Sequence, residues 1–366
     1  MHRLALLASL LVFSTTTEAV EKIVSWNVSP TFYEGLELRK HDFQQLNEQL
    51  RPDILILVEV SGAIEAQMIA DQLGWDDYYL AVSDWSIART NAYFSLEAAV
   101  ISKVPITNVV EYDTQPESVV PVIHNGELTQ IPVTEKKLSS AGIPHFGDTL
   151  AQTDRGTMRV DLANGLSIFP VHLKSNRNNA CFDLRDIIRN LEKYGFPVSP
   201  ALRESYERGF AAATDAHLNN ARKRERVIAS VARVAGIAFE DGLIPVIAGD
   251  FNTAFESGKY GIDPSDCELA EFSCAKGPFP KQACSNGDGF DDTLGILEKG
   301  LTSKITWQFV SRDFPRTYDD SAYANLAIDH IAVPEDTRDH FTAPGVGDKT
   351  FGSDHYPLMV NFQNKL

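Results

Sequence analysis

The chain has 366 residues, with 50 acidic against 33 basic side chains and a formal net charge of −17 when the histidines are neutral. Such a field opposes tight binding to a polyanion unless bound cations supply positive charge locally. With 43% hydrophobic residues, no internal repeats and no low-complexity linker, the composition is that of a globular protein and excludes a disordered or repeat architecture.

The first 19 residues, MHRLALLASLLVFSTTTEA, combine a basic start, an apolar run from Leu4 to Phe13 and small or polar residues up to Ala19. This pattern predicts a secretory leader, too short to span a bilayer and cleaved after Ala19. Residues 20–366 are then one domain with long loops, expected as a secreted monomer, extracellular or periplasmic, with no membrane span. Export implies an oxidising compartment, so Cys181, Cys267, Cys274 and Cys284 are expected in disulfides, with three pairings open. No close Cys pair adjoins a His pair, which argues against a zinc site.

Short apolar strands follow, each ending in a polar residue that looks out of place. KIVSWNV alternates and ends near Asn27; PDILILVEV is apolar except for Glu59. Between them Leu38, Phe43, Leu46 and Leu50 predict an amphipathic helix. EAAVISKVPI and GLSIFPVHLKS read as strands, the second delivering His172. A helix over ARKRERVIASVARVAGIAF presents Val227, Ile228, Val231, Val234 and Ala235 to a core, and its basic run reads as a solvated face. PVIAGDFNT is a buried strand followed by Asp250 and Asn252. LAIDHIAV carries Asp329 and His330, the latter expected only to pack or cap, and GSDHYPLMVNF sets Asp354 and His355 before a last strand.

Three stretches, roughly 112–154, 176–220 and 256–288, are rich in Pro, Gly, Asn and Ser and read as surface insertions. Within SNGDGFDD, Asn286, Asp288, Asp291 and Asp292 offer oxygens for a structural Ca²⁺ but lack the full twelve-residue ligand pattern.

Each polar strand end alone has an ordinary explanation as a turn or cap. Several carboxylates converging in one place, however, cost free energy unless a cation neutralises them. Their hard oxygens suit Mg²⁺, Mn²⁺ or Ca²⁺ rather than zinc.

The ordered series SWNV, LVEV, VHLKS, GDFNT, IDHI and SDHYPL resembles the endonuclease/exonuclease/phosphatase superfamily, over Glu21 to Phe362. The resemblance implies an α/β fold, a four-layer α/β/β/α sandwich of two mixed β-sheets packed face to face. It implies a metal-dependent hydrolase of phosphate esters, with Glu59, Asn27 and Asp354 at Mg²⁺ or Mn²⁺. Asp250 would activate water, Asn252 and Arg155 would bind phosphate, and His355, oriented by Asp329, would stabilise the transition state. His172 matches a histidine near the leaving group, with Asp84 of AVSDWS in the place of the acid that orients it. Nucleic acid is the leading phosphodiester substrate. A lipid headgroup or small phosphorylated metabolite, and a non-catalytic binding module on the same fold, are the alternatives.

Overall fold

The structure is a computed structural model that describes residues 20–29, 36–83, 96–112, 120–140, 155–175, 187–255, 293–300, 302, 304–319 and 327–365. Residues 1–19, where the leader is expected, Asp84, all four cysteines and residues 285–292 lie outside the described residues.

Two mixed sheets form the centre. The first, of eight strands, runs β14 (Phe341–Val346), β15 (Leu358–Gln363), β1 (Val20–Asn27), β2 (Ile54–Val60), β4 (Glu97–Ser102), β3 (Tyr79–Val82), β6 (Ile123–His124) and β7 (Glu127–Leu128). The second, of seven, runs β12 (Trp307–Phe309), β13 (Asp329–Pro334), β11 (Ile244–Asp250), β10 (Leu166–His172), β9 (Met158–Leu162), β5 (Ile106–Tyr112) and β8 (Val133–Lys136).

Alternation along the strands divides the core into three apolar layers. Ile23 of β1, Ile54, Ile56 and Val58 of β2, Ile168 of β10, Val246 and Ala248 of β11, and Ile331 and Val333 of β13 meet between the sheets. The opposite faces of β1 and β2, with Val24, Trp26, Leu55 and Leu57, take Phe43, Leu46 and Leu50 of α1 (Leu36–Leu50) and Ile69 of α2 (Ala63–Leu73). On the far side, Phe169, Ile247 and Ala332 receive Ile228, Val231 and Ala235 of α3 (Pro200–Glu240) and Leu297 of α4 (Thr293–Glu298). The architecture is therefore the expected four-layer sandwich. Full burial of each such aliphatic side chain contributes about 1.5–3 kcal/mol.

Four local expectations change. EAAVISKVPI is two strands: it breaks at Lys103–Pro105, and β4 and β5 lie in different sheets. The stretch 112–154 contains β6, β7 and β8. The stretch 176–220 contains the first half of α3, started by Pro200 in the first turn and by Ser199, whose hydroxyl accepts from Leu202 N. The basic run is also no simple solvated face, because Arg224 and Glu225 are fully buried. Arg224 donates to Lys174 O at 2.7 Å, bracing the chain just past β10.

Candidate active site

The parity that builds the middle layer also builds the site. Two-residue steps carry the inward face of β1 from Ile23 to Asn27, of β10 from Ile168 to His172, of β11 from Ala248 to Asp250, and of β13 back from Ile331 to Asp329. All four polar residues therefore end the intersheet layer at one edge of the sandwich. Register brings them side by side: His172 faces Asp250 across β10 and β11, and Asp250 faces Asp329 across β11 and β13. Gly249 permits this approach, since a Cβ there would lie 2.0 Å from Val171 O at a φ of 141°.

Glu59 reaches the same edge by breaking the alternation. It follows Leu55 and Leu57 in parity and would face the helices. Instead the pairing of β2 with β4 slips between Val58 and Val60, Glu59 adopts a left-handed φ of 65°, and Val60 takes the outer face. Such a bulge re-aims a side chain at some cost in backbone strain. Asn252 and Ser29, at φ 51° and 54°, are further left-handed residues at this edge.

Asn27 lies at the centre. Its Nδ2 donates to Glu59 Oε1 and to Asp250 Oδ2, both at 3.1 Å, and lies 3.4 Å from His355 Nε2. Asp250 is fixed by Asn252, which donates from its backbone N to Oδ1 at 2.7 Å and from Nδ2 to Oδ2 at 2.9 Å. Asn252 Nδ2 also reaches Leu173 O at 3.0 Å, and the buried Arg155 donates to the same carbonyl. His355 Nδ1 meets Asp329 Oδ2 at 2.8 Å. Asp354 is half-exposed, its Oδ1 3.9 Å from His355 Nε2.

Burial raises the Glu59 carboxyl above its ordinary range, against the opposing charges of His355 and Arg155. Burial and the neighbouring Asp329 raise Asp250 to about 7. For His355, burial works against the charge, yet Asp329, through its charge and hydrogen bond, and then Asp250 and Asp354 prevail and lift the ring to about 10. His172 goes the other way: burial, with Arg155, His355 and Lys174, holds it well below the usual imidazole range. Its 3.2 Å approach to Glu59 Oε1 is accordingly made by a neutral ring. His330 packs edge-on against Phe251, Phe255 and Phe309, as expected of a core residue, and burial depresses it to about 4.

Sequence reasoning missed the residues that hold this edge in place. Ser353 Oγ donates to Asn27 O at 2.7 Å and accepts from His355 N at 3.0 Å, while Trp26 Nε1 donates to His355 O at 3.0 Å. Thr317 Oγ1 accepts from both Ile328 N and Asp329 N at 2.9 Å. The buried Arg39 of α1 donates to Val28 O, Ser29 O and Phe351 O, with its guanidinium against Trp26 and Phe43. No signal in the sequence separates these from ordinary polar residues.

The chain's own donors fit a divalent cation. Glu59 Oε1 and Asp250 Oδ2 already converge on one point, the Asn27 amide nitrogen, and burial raises both carboxyls against the charges of His355 and Arg155. Asn27 would offer its oxygen to an ion by turning the amide over, since Oδ1 now accepts from Ser29 N at 2.9 Å.

No family model and no curated protein matches the sequence. Among solved structures, an AP endonuclease from Leishmania major aligns with a TM-score of 0.53 and 13% identity, over 94% of this chain and 88% of that one. The chain has the endonuclease/exonuclease/phosphatase fold. Looser alignments to this fold include an AP endonuclease from Archaeoglobus fulgidus, with a TM-score of 0.47 and 14% identity over 93% of this chain and 99% of that one. A 3′-5′ exonuclease from Neisseria meningitidis gives 0.46 and 18%, over 94% and 100%. In the endonuclease/exonuclease/phosphatase fold of this chain, the edge that gathers Asn27, Glu59, His172, Asp250 and Asp329 is where both sheets run out of apolar side chains.

Proposed function

We propose that this chain is a secreted, divalent-metal-dependent phosphoesterase that cleaves phosphodiester bonds, with nucleic acid as its leading substrate. One observation carries the reading: a charged His355, locked by Asp329 at 2.8 Å, faces a carboxylate pair, Glu59 and Asp250, that converges on a single point. The fold shared with an AP endonuclease supports a nucleic acid substrate, and the N-terminal leader supports export.

Hydrolysis of a phosphodiester needs an in-line water and positive charge on the phosphate oxygens, with little covalent help. Glu59 and Asn27, with Asp354 nearby, would hold the cation, which when bound supplies charge to a phosphate oxygen. Asp250, its two oxygens fixed by Asn252, aligns water and takes its proton; a carboxyl raised by burial suits that task. His355 presents Nε2 as a fixed cation to the phosphate, where a preorganised donor lowers the barrier most. Arg155, buried beside the same edge, adds a second positive charge felt by Glu59 and Asp250.

A second reading, hydrolysis of a lipid headgroup, draws on Tyr194 and Phe196, which are 66% and 61% exposed on either side of Gly195. The test is a substrate panel of plasmid, single-stranded RNA, sphingomyelin, inositol phosphates and bis-nitrophenyl phosphate, with EDTA and with Mg²⁺ or Mn²⁺ restored. Nucleic acid cleavage abolished by EDTA is the expected result. Full activity in metal-stripped protein, or turnover of sphingomyelin alone, would overturn the respective part of the proposal.

A further inference from the structure

We propose that His172 is itself a metal ligand, adding an imidazole nitrogen beside the Glu59 carboxylate and tuning the site toward Mn²⁺ over Mg²⁺. This rests on the metal-dependent reading above and replaces the expectation, implied by the resemblance, of a place for His172 near the leaving group.

The ring is only 5% exposed, and neither of its nitrogens makes a hydrogen bond among the described residues. A buried polar group left so carries a desolvation cost, and native interiors rarely tolerate one without a reason. What its Nε2 does approach is a pair of carboxylate oxygens: Glu59 Oε1 at 3.2 Å, without hydrogen-bond geometry, and Asp250 Oδ2 at 3.6 Å. Donors bound side by side to one small divalent ion at about 2.1 Å lie about 3.0 Å apart, so the 3.2 Å separation from Glu59 Oε1 need close only slightly. One donor atom from each of Glu59, His172 and Asp250 lies within 4.8 Å of the others.

The position is built rather than incidental. His172 ends the inward face of β10, and its register partner is Asp250. The other histidine at this edge is committed elsewhere, since His355 Nδ1 pairs with Asp329. A carboxylate-only site suits Mg²⁺, whereas an imidazole shifts preference toward later first-row ions.

Pulsed EPR of metal-stripped protein loaded with Mn²⁺ tests the assignment directly. The wild type should show ¹⁴N modulation from a coordinated imidazole, replaced by the ¹⁵N pattern when histidine is ¹⁵N-labelled. The modulation should vanish in His172→Asn and persist in His355→Asn. Loss of an outer partner of a ligand commonly costs 10–100-fold in affinity, so His172→Asn should weaken Mn²⁺ by at least about tenfold, and Mg²⁺ by less. Should His172→Asn fail to fold, the labelled wild type and His355→Asn still decide the matter. Absent nitrogen modulation in the wild type, modulation surviving His172→Asn, or modulation lost in His355→Asn would each overturn the proposal. Mn²⁺-dependent turnover without nitrogen modulation would overturn this ligand assignment alone. Failure to bind Mn²⁺ or Mg²⁺ at all would overturn the functional reading with it.

Discussion

Replacing Asp329 by asparagine should discharge His355 at neutral pH while changing the shape of the site very little. In the native protein the ring is lifted from the ordinary 6.5 to about 10, although burial alone would lower it. That displacement corresponds to about 5 kcal/mol in favour of the protonated ring, net of its burial. Its largest favourable source is Asp329, by charge and by the 2.8 Å hydrogen bond. With the carboxylate gone, burial, already the largest single influence, is opposed by the charges of Asp250 and Asp354 without Asp329, and the ring should titrate below 6.5. Because the folded value is raised, the pair stabilises the fold fully below the unfolded value near 6.5, and this contribution is lost as the pH rises through about 10. Asp329→Asn should therefore lack this loss of stability toward alkaline pH. Loss of one fixed donor at a developing charge typically costs about 10²–10³-fold in kcat, so activity at pH 7 should fall by that order. Histidine-ring NMR titration of the metal-free protein, paired with thermal melts across pH, reads both effects. A wild-type His355 that titrates near 6.5, or one whose titration is unmoved by Asp329→Asn, would refute the reasoning.

Glu59→Gln and Asp250→Asn should each fold yet lose hydrolysis, and only Glu59→Gln should regain part of it at high Mg²⁺; equal rescue of both would contradict their separate roles. Gly249→Ala should be severely destabilised, since the added methyl would meet Val171 O at 2.0 Å in a backbone region that alone costs about 1–3 kcal/mol, and a melting temperature close to wild type would show that β10 and β11 can move apart there. Thiol titration of the denatured, unreduced mature protein should find no free cysteine, and reduction should lower stability by about 2–4 kcal/mol per bridge closed over a long loop; four reactive thiols would refute the disulfide expectation.

How far the site could be read from sequence depended on contrast. Asn27, His172, Asp250 and Asp329 stand out because each ends a strand that is otherwise apolar, and strict alternation puts them all on the intersheet face. Glu59 was visible as a lone acid in an apolar run, but its aim was not, because the slip at Val58–Val60 comes from pairing with β4 rather than from the run itself. Short strands such as β3 and β12, of four and three residues, carry too few positions to show a period. The first half of α3 and the crossing at Lys103–Pro105 depend on distant contacts that no local pattern records. Arg39, Thr317 and Ser353 act through backbone carbonyls and amides, which every residue has.

The pairing of β1 with β15 joins the two ends of the described chain, and Arg39 and Ser353 tie the loops beyond it. It also sets an order of events. A chain emerging from the ribosome holds Glu59, His172 and Asp250 long before it holds His355, which enters only with the strand that closes the sheet. Until then Asp250 and Glu59 lack the His355 ring that faces them, and the edge is incomplete. The edge is complete only when the last strand lies beside the first.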